Sequence, residues 1–123
     1  MTNLGAPVSL AQSFNSPPVD PEIPLSMARA VAAQIRARSE PSHVILFGSA
    51  AEKRFRVGSD LDFLVVFDDS DAVRMGRRKI RAAGRLSDMS IPIDLLFVTK
   101  DHFEAYRNVG GVCFVASHHG IEL

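Results

Sequence analysis

Few features of this 123-residue chain point to a membrane, a disulfide framework or a charged polymer. It has a single cysteine, Cys113, so no internal disulfide can form, and a reducing compartment is the simplest reading. Lys plus Arg total 14 and Asp plus Glu total 14, and this zero balance argues against a dedicated nucleic-acid or membrane-surface binder. No apolar run approaches ~18 residues, so no membrane span is predicted. The first residues lack both a basic n-region and an apolar h-region, so no secretory signal is predicted and the cytoplasm is the expected location. There is no internal repeat and no Cys/His set spaced for zinc. What is present is ordinary globular material: 46% hydrophobic and 23% charged residues exclude a wholly disordered or fibrous chain. The length suits one domain, which argues against a separate substrate domain.

Five of the seven prolines fall in residues 1–24, which read as a flexible Pro-rich tail, with 25–123 as the folded domain. A first helix is predicted from Ser26, a suitable N-cap, to Ser39, with Met27, Val31 and Ile35 on one apolar stripe. Val44-Ile45-Leu46-Phe47 reads as a buried strand ended by Gly48, followed by a brief helical turn over 50–54. A second strand is predicted over 61–67, a helix over 71–88, and a third strand over 91–98. Helices over 101–108 and 111–119 follow, with Gly120 as a left-handed C-cap and 121–123 as an edge strand. The alternation of helix and strand predicts an α/β (α+β) fold with helices packed on a sheet.

Three acidic residues carry the chemistry. Asp60 and Asp62 sit two apart at the mouth of the second strand, so their carboxylates project to one side. Asp94 lies within Ile91-Pro92-Ile93-Asp94-Leu95-Leu96-Phe97-Val98, where an unpaired charge is expensive to bury. If the second and third strands are neighbours, Asp94 meets the other two. Like charges about 4 Å apart repel by roughly 4 kcal/mol at an effective dielectric near 20, so the trio calls for cations. Oxygen ligands suit Mg²⁺ or Mn²⁺. Gly48-Ser49 supplies the other half: glycine admits close backbone approach, and N–H groups at a helical turn favour phosphate. A cradle and a carboxylate cluster with ions between them suit a nucleoside triphosphate.

Gly48-Ser49, ten intervening positions, Asp60-Leu61-Asp62 and then Asp94 in an apolar strand form a spaced pattern. It resembles the nucleotidyltransferase superfamily of DNA polymerase β. Ser59 before Asp60 fits the same pattern, and the near-minimal length resembles the MNT group, the minimal nucleotidyltransferases. The resemblance covers about Met27 to Leu123. It implies a small mixed β-sheet of three main strands flanked by helices. It implies that Asp60, Asp62 and Asp94 are catalytic and bind two Mg²⁺ ions, with Mn²⁺ as a substitute. Gly48, Ser49 and Ser59 are implied to hold the nucleotide, with ATP as co-substrate, and Asp94 can also accept the acceptor's proton. In that group the resemblance implies AMP transfer from ATP to a tyrosine of a HEPN RNase toxin, an antitoxin activity of the type VII kind. No direct nucleic-acid contact is expected, and a homo-oligomer or a hetero-oligomer with the partner is. Two other readings stand beside it: a non-catalytic antitoxin acting by contact, and an enzyme modifying a small molecule such as an aminoglycoside. Glu52 and Lys53 stand where relatives commonly have a basic residue and then glycine, and Val57-Gly58 where they often have Pro-Asp. These departures bear on how the loop meets the nucleotide.

Other groups have plainer readings. Arg74, Arg78, Arg81 and Arg85 recur at i, i+4, i+7 and i+11, either a solvated helix face or a docking surface for an acidic partner or RNA. Asp68-Asp69-Ser70-Asp71 reads as a helix cap, His118-His119 as cations at a helix end, Tyr106 as a surface residue, and Cys113 as core.

Overall fold

A computed structural model describes residue 17 and residues 19–88 and 90–123; the expected tail through residue 16 lies outside them. Helix α1 spans Glu22–Arg38 and buries Ala28, Val31, Ala32 and Ile35, an i, i+3, i+4, i+7 stripe. It starts earlier than the Ser26 cap predicts. Asp20 Oδ1 accepts the N–H of Glu22 at 3.0 Å, and Pro21 is already at a helical φ of −55°. Proline suits this lead-in because its missing N–H has no partner in a first turn.

Strand β1 (His43–Phe47) pairs antiparallel with β2 (Leu61–Phe67), and β2 pairs in parallel with β3 (Ile93–Thr99). Two parallel neighbours need a crossover, supplied here by helix α2 (Ser70–Ala82). Helices α3 (Lys100–Tyr106) and α4 (Gly111–His119) follow, and a short β4 (Ile121–Glu122) returns antiparallel beside β1. The sheet order is β3-β2-β1-β4, a four-stranded mixed sheet with helices on both faces.

The period of two sorts each strand between two layers. Val44, Leu46, Leu61, Phe63, Val65 and Phe67 form the main core with α1 and α2. Ile45, Leu64 and Val66 face Phe103, Cys113 and Ala116 of α3 and α4. Burial pushes the Cys113 thiol pKa up, as a core cysteine requires. Asp62 shares the parity of Leu64 and Val66, so it lies on the α3–α4 face, beyond the part those helices cover.

Helix α2 ends at Ala82, short of the predicted end at 88. Gly84 turns left-handed at φ 84°, and Arg38 donates to the carbonyls of Ile80, Gly84 and Arg85 at 3.2, 2.6 and 2.6 Å. That guanidinium takes up one carbonyl of the last helical turn and two of the loop that follows it. Arg85 therefore leaves the helical row assigned to it. Strand β3 starts at Ile93, because Pro92 has no N–H for the ladder; its carbonyl still accepts from Leu61 N–H at 3.0 Å. Gly120 is not a left-handed cap: its φ is −93°. A Cβ there would collide with the Ala116 carbonyl and lie 2.7 Å from Ile45 Cγ2, so close approach to β1 excludes a side chain.

Candidate active site

The parallel register places Asp62 directly opposite Asp94, while Asp60 enters just before β2. One carboxylate oxygen from each of Asp60, Asp62 and Asp94 lies within 4.8 Å of the others. Asp60 and Asp62 are half-buried and Asp94 is exposed, so the cluster opens to solvent along the edge strand. Burial pushes the Asp62 carboxyl above its ordinary range. The charges of Asp94 and Asp60, and a hydrogen bond with Asp94, push it the same way. A cation between the carboxylates relieves the repulsion that a proton otherwise relieves. With three oxygen donors and no sulfur or imidazole, the set is compatible with a divalent metal of the hard class.

Gly48 builds the adjoining wall. Its φ is 78°, and a Cβ there would stand 2.6 Å from Asp62 Oδ2. The left-handed turn and the carboxylate's position each demand glycine. The chain then turns tightly: Ala51 and Glu52 N–H both reach the Gly48 carbonyl at 3.1 Å, and Arg54 N–H reaches Ser49 O at 2.9 Å. Ser49 sits inside this turn, next to Gly48. Ser59 closes the return loop, its Oγ accepting Arg56 N–H at 3.1 Å and its N–H reaching Arg56 O at 2.9 Å. That link sets the approach of Asp60 to β2.

Lys53 carries the one positive φ of a non-glycine residue among the described residues, 60°. This is a position at which the sequence resemblance expects glycine, so the backbone keeps a glycine-type turn under a lysine side chain. Glu52 pairs with Arg54 at 3.4 Å across the same loop.

Sequence reasoning missed a cleft. Leu64 and Leu96 follow Asp62 and Asp94 by two residues on the same strand face, a rise of about 6.7 Å. With Val98, His102, Tyr106 and Val112 they line an open, mainly apolar cleft of about 420 Å³. Leu96, Tyr106 and Val112 are exposed large apolar residues. The signal lies in extending the period of two one step beyond each aspartate.

Asp69 and Tyr106 sit as their plainer readings expect, and His118-His119 end α4. Asp69 caps α2 by accepting Ala72 N–H at 2.8 Å, and Asp68 accepts the Ser42 hydroxyl at 2.6 Å. His118 meets Asn108 Oδ1 at 2.9 Å and stacks on Phe114. Tyr106 is half-exposed beside the His102 ring.

Two carboxylates on adjoining strands and a third just before one of them, beside a tight glycine turn, form the arrangement of nucleotidyl transfer. A sequence model of the nucleotidyltransferase domain matches residues 29–116, and the chain belongs to that family. No curated protein matches the chain. Among the described residues, no helix is long and apolar enough to cross a membrane.

Proposed function

We propose that this nucleotidyltransferase domain moves AMP from ATP to a hydroxyl of a partner protein, a tyrosine of a HEPN-type RNase toxin, and so acts as an antitoxin in the cytoplasm. The acceptor oxygen attacks the α-phosphorus, the bond to the β-phosphate oxygen breaks, and pyrophosphate leaves. Asp60, Asp62 and Asp94 would hold Mg²⁺, or Mn²⁺ in its place, which neutralises triphosphate charge and acidifies the acceptor hydroxyl. Gly48 and Ser49 would offer backbone amides to the terminal phosphates. Ser59 keeps Asp60 in position, and Asp94, the exposed member, is the one open to the acceptor's proton. The observation that carries the reading is the Asp62–Asp94 register beside the Gly48 turn. The apolar cleft next to the triad supports a protein acceptor, because a side chain docked there brings its neighbours within one or two residues of Asp94.

The test combines α-labelled ATP, Mg²⁺, the chain and a co-expressed HEPN RNase. Label on the RNase with pyrophosphate release, lost in Asp60→Asn/Asp62→Asn, supports the proposal. Neutralisation that survives this double substitution without label transfer overturns it in favour of inhibition by contact. Label on a hydroxylated antibiotic and none on protein overturns it in favour of a small-molecule acceptor.

A further inference from the structure

Helix α2 packs on the other side of the sheet from the α3–α4 hairpin, and its exposed face carries a row of arginines. Arg74, Arg77, Arg78 and Arg81, with Ser70 and Val73, line an open groove of about 600 Å³. From Arg74 to Arg81 the row runs about 10 Å along the helix, two turns. Arg74 pairs with Asp71, and Arg77 lies over the Phe97 ring at 5.6 Å. Among the described residues, Arg78 and Arg81 have no side-chain partner. Arg74, Arg77, Arg78 and Arg81 are all exposed.

Four guanidinium groups at helical spacing seek carboxylates or phosphates, whose geometry they match in bidentate fashion. Three observations choose between these. The chain has zero formal charge, so outside this row there is no net positive charge to hold a long polyanion. Asp68, Asp69 and Asp71 stand at the N-terminal end of the row, where a phosphate backbone continuing along the helix would meet like charge. Val73 and the Phe97 ring beneath Arg77 give the groove apolar surface for side-chain stems. We infer that the α2 arginine row docks an acidic helical segment of a partner protein, with carboxylates on successive turns facing Arg77, Arg78 and Arg81. None of these residues belongs to the triad or the Gly48 turn, so the docking is independent of the transfer reaction.

The test uses the full chain and a fluorescent alanine-based helical peptide of about 15 residues with glutamates on successive turns of one face. Single-stranded RNA of similar charge is the second arm. Anisotropy titrations are run at about 50 mM and about 300 mM NaCl, on either side of a Debye length comparable to the row. The expected result is saturable peptide binding that weakens about tenfold or more in Arg78→Glu/Arg81→Glu and at the higher salt, with RNA bound more weakly. Arg78→Gln/Arg81→Gln, which adds no repulsion, should weaken it less, and both variants should keep the wild-type melting temperature. No peptide binding, binding indifferent to these substitutions, or tighter binding of the RNA overturns the inference.

Discussion

Replacing Asp62 with Asn should stabilise the metal-free protein while removing its response to divalent ions. With oxygens of the trio within 4.8 Å of one another, each like-charge pair costs about 3.5 kcal/mol at an effective dielectric near 20 and about 1 kcal/mol in bulk water. The cluster is open on the Asp94 side, so solvent screening favours the lower figure. The amide that Asp62→Asn introduces can also donate to Asp94 at any pH. A gain of about 1 kcal/mol is expected, which raises the melting temperature by about 5 °C for a domain of this size. Divalent ion reverses the order. At tenfold excess over its Kd, Mg²⁺ or Mn²⁺ adds about 1.4 kcal/mol to the wild type and little to the variant. The assay is thermal unfolding of both proteins with EDTA and with Mn²⁺, and the two curves should exchange places. Loss of stability in metal-free Asp62→Asn, or equal stabilisation of both proteins by Mn²⁺, refutes the reasoning.

The same carboxyl sets a pH dependence. Asp62 has a folded pKa above its ordinary 3.8, so the folded protein binds the extra proton and wild-type stability from this group is full below 3.8 and lost as pH rises through the raised value. Urea midpoints of the metal-free wild type should therefore fall with rising pH relative to Asp62→Asn. Gly76→Ala should destabilise: the new Cβ would stand 2.5 Å from Cε1 of the buried Phe67. Overpacking costs about 1–3 kcal/mol and exceeds the roughly 1 kcal/mol of helix propensity gained, a net loss that chemical denaturation measures. Lys53→Gly should add about 0.5–1 kcal/mol, because relief of left-handed strain outweighs the entropy of the added glycine; a higher urea midpoint checks this. Gly48→Ala should leave the circular dichroism spectrum intact and lower transfer activity by about 100-fold, since a Cβ displaces the Asp62 carboxylate.

The acidic cluster is legible in the sequence from two local rules, on the condition that β2 and β3 are neighbours, which the structure supplies. A spacing of two in a strand puts Asp60 and Asp62 on one side, and a lone aspartate in an apolar run demands partners. The sheet core is legible for the same reason: β2 is apolar at nearly every position, as a strand buried on both faces must be. Helix limits are less so, because distant contacts set them. The end of α2 joins a local signal, the left-handed Gly84 that the helical pattern runs past, to a distant one, Arg38, more than forty residues upstream. The start of α1 is readable in the Asp20-Pro21 pair, which the run of prolines around it disguises as tail. Gly120 shows a different loss: its sequence position fits a left-handed cap, while its real constraint is the packing distance to Ile45. The cleft beside the triad emerges only once the α3–α4 hairpin is known to leave the β3 edge open.

Asp94 sits on the outermost strand, whereas Asp62 sits on an interior one. Outer strands are the first to fray, so the trio exists only while β3 stays zipped to its neighbour. Any ligand gripping both aspartates acts as a rivet across that seam. Its occupancy should register as slower amide exchange over Ile93–Thr99, and starvation for the ligand would leave this margin as the chain's point of entry for proteases.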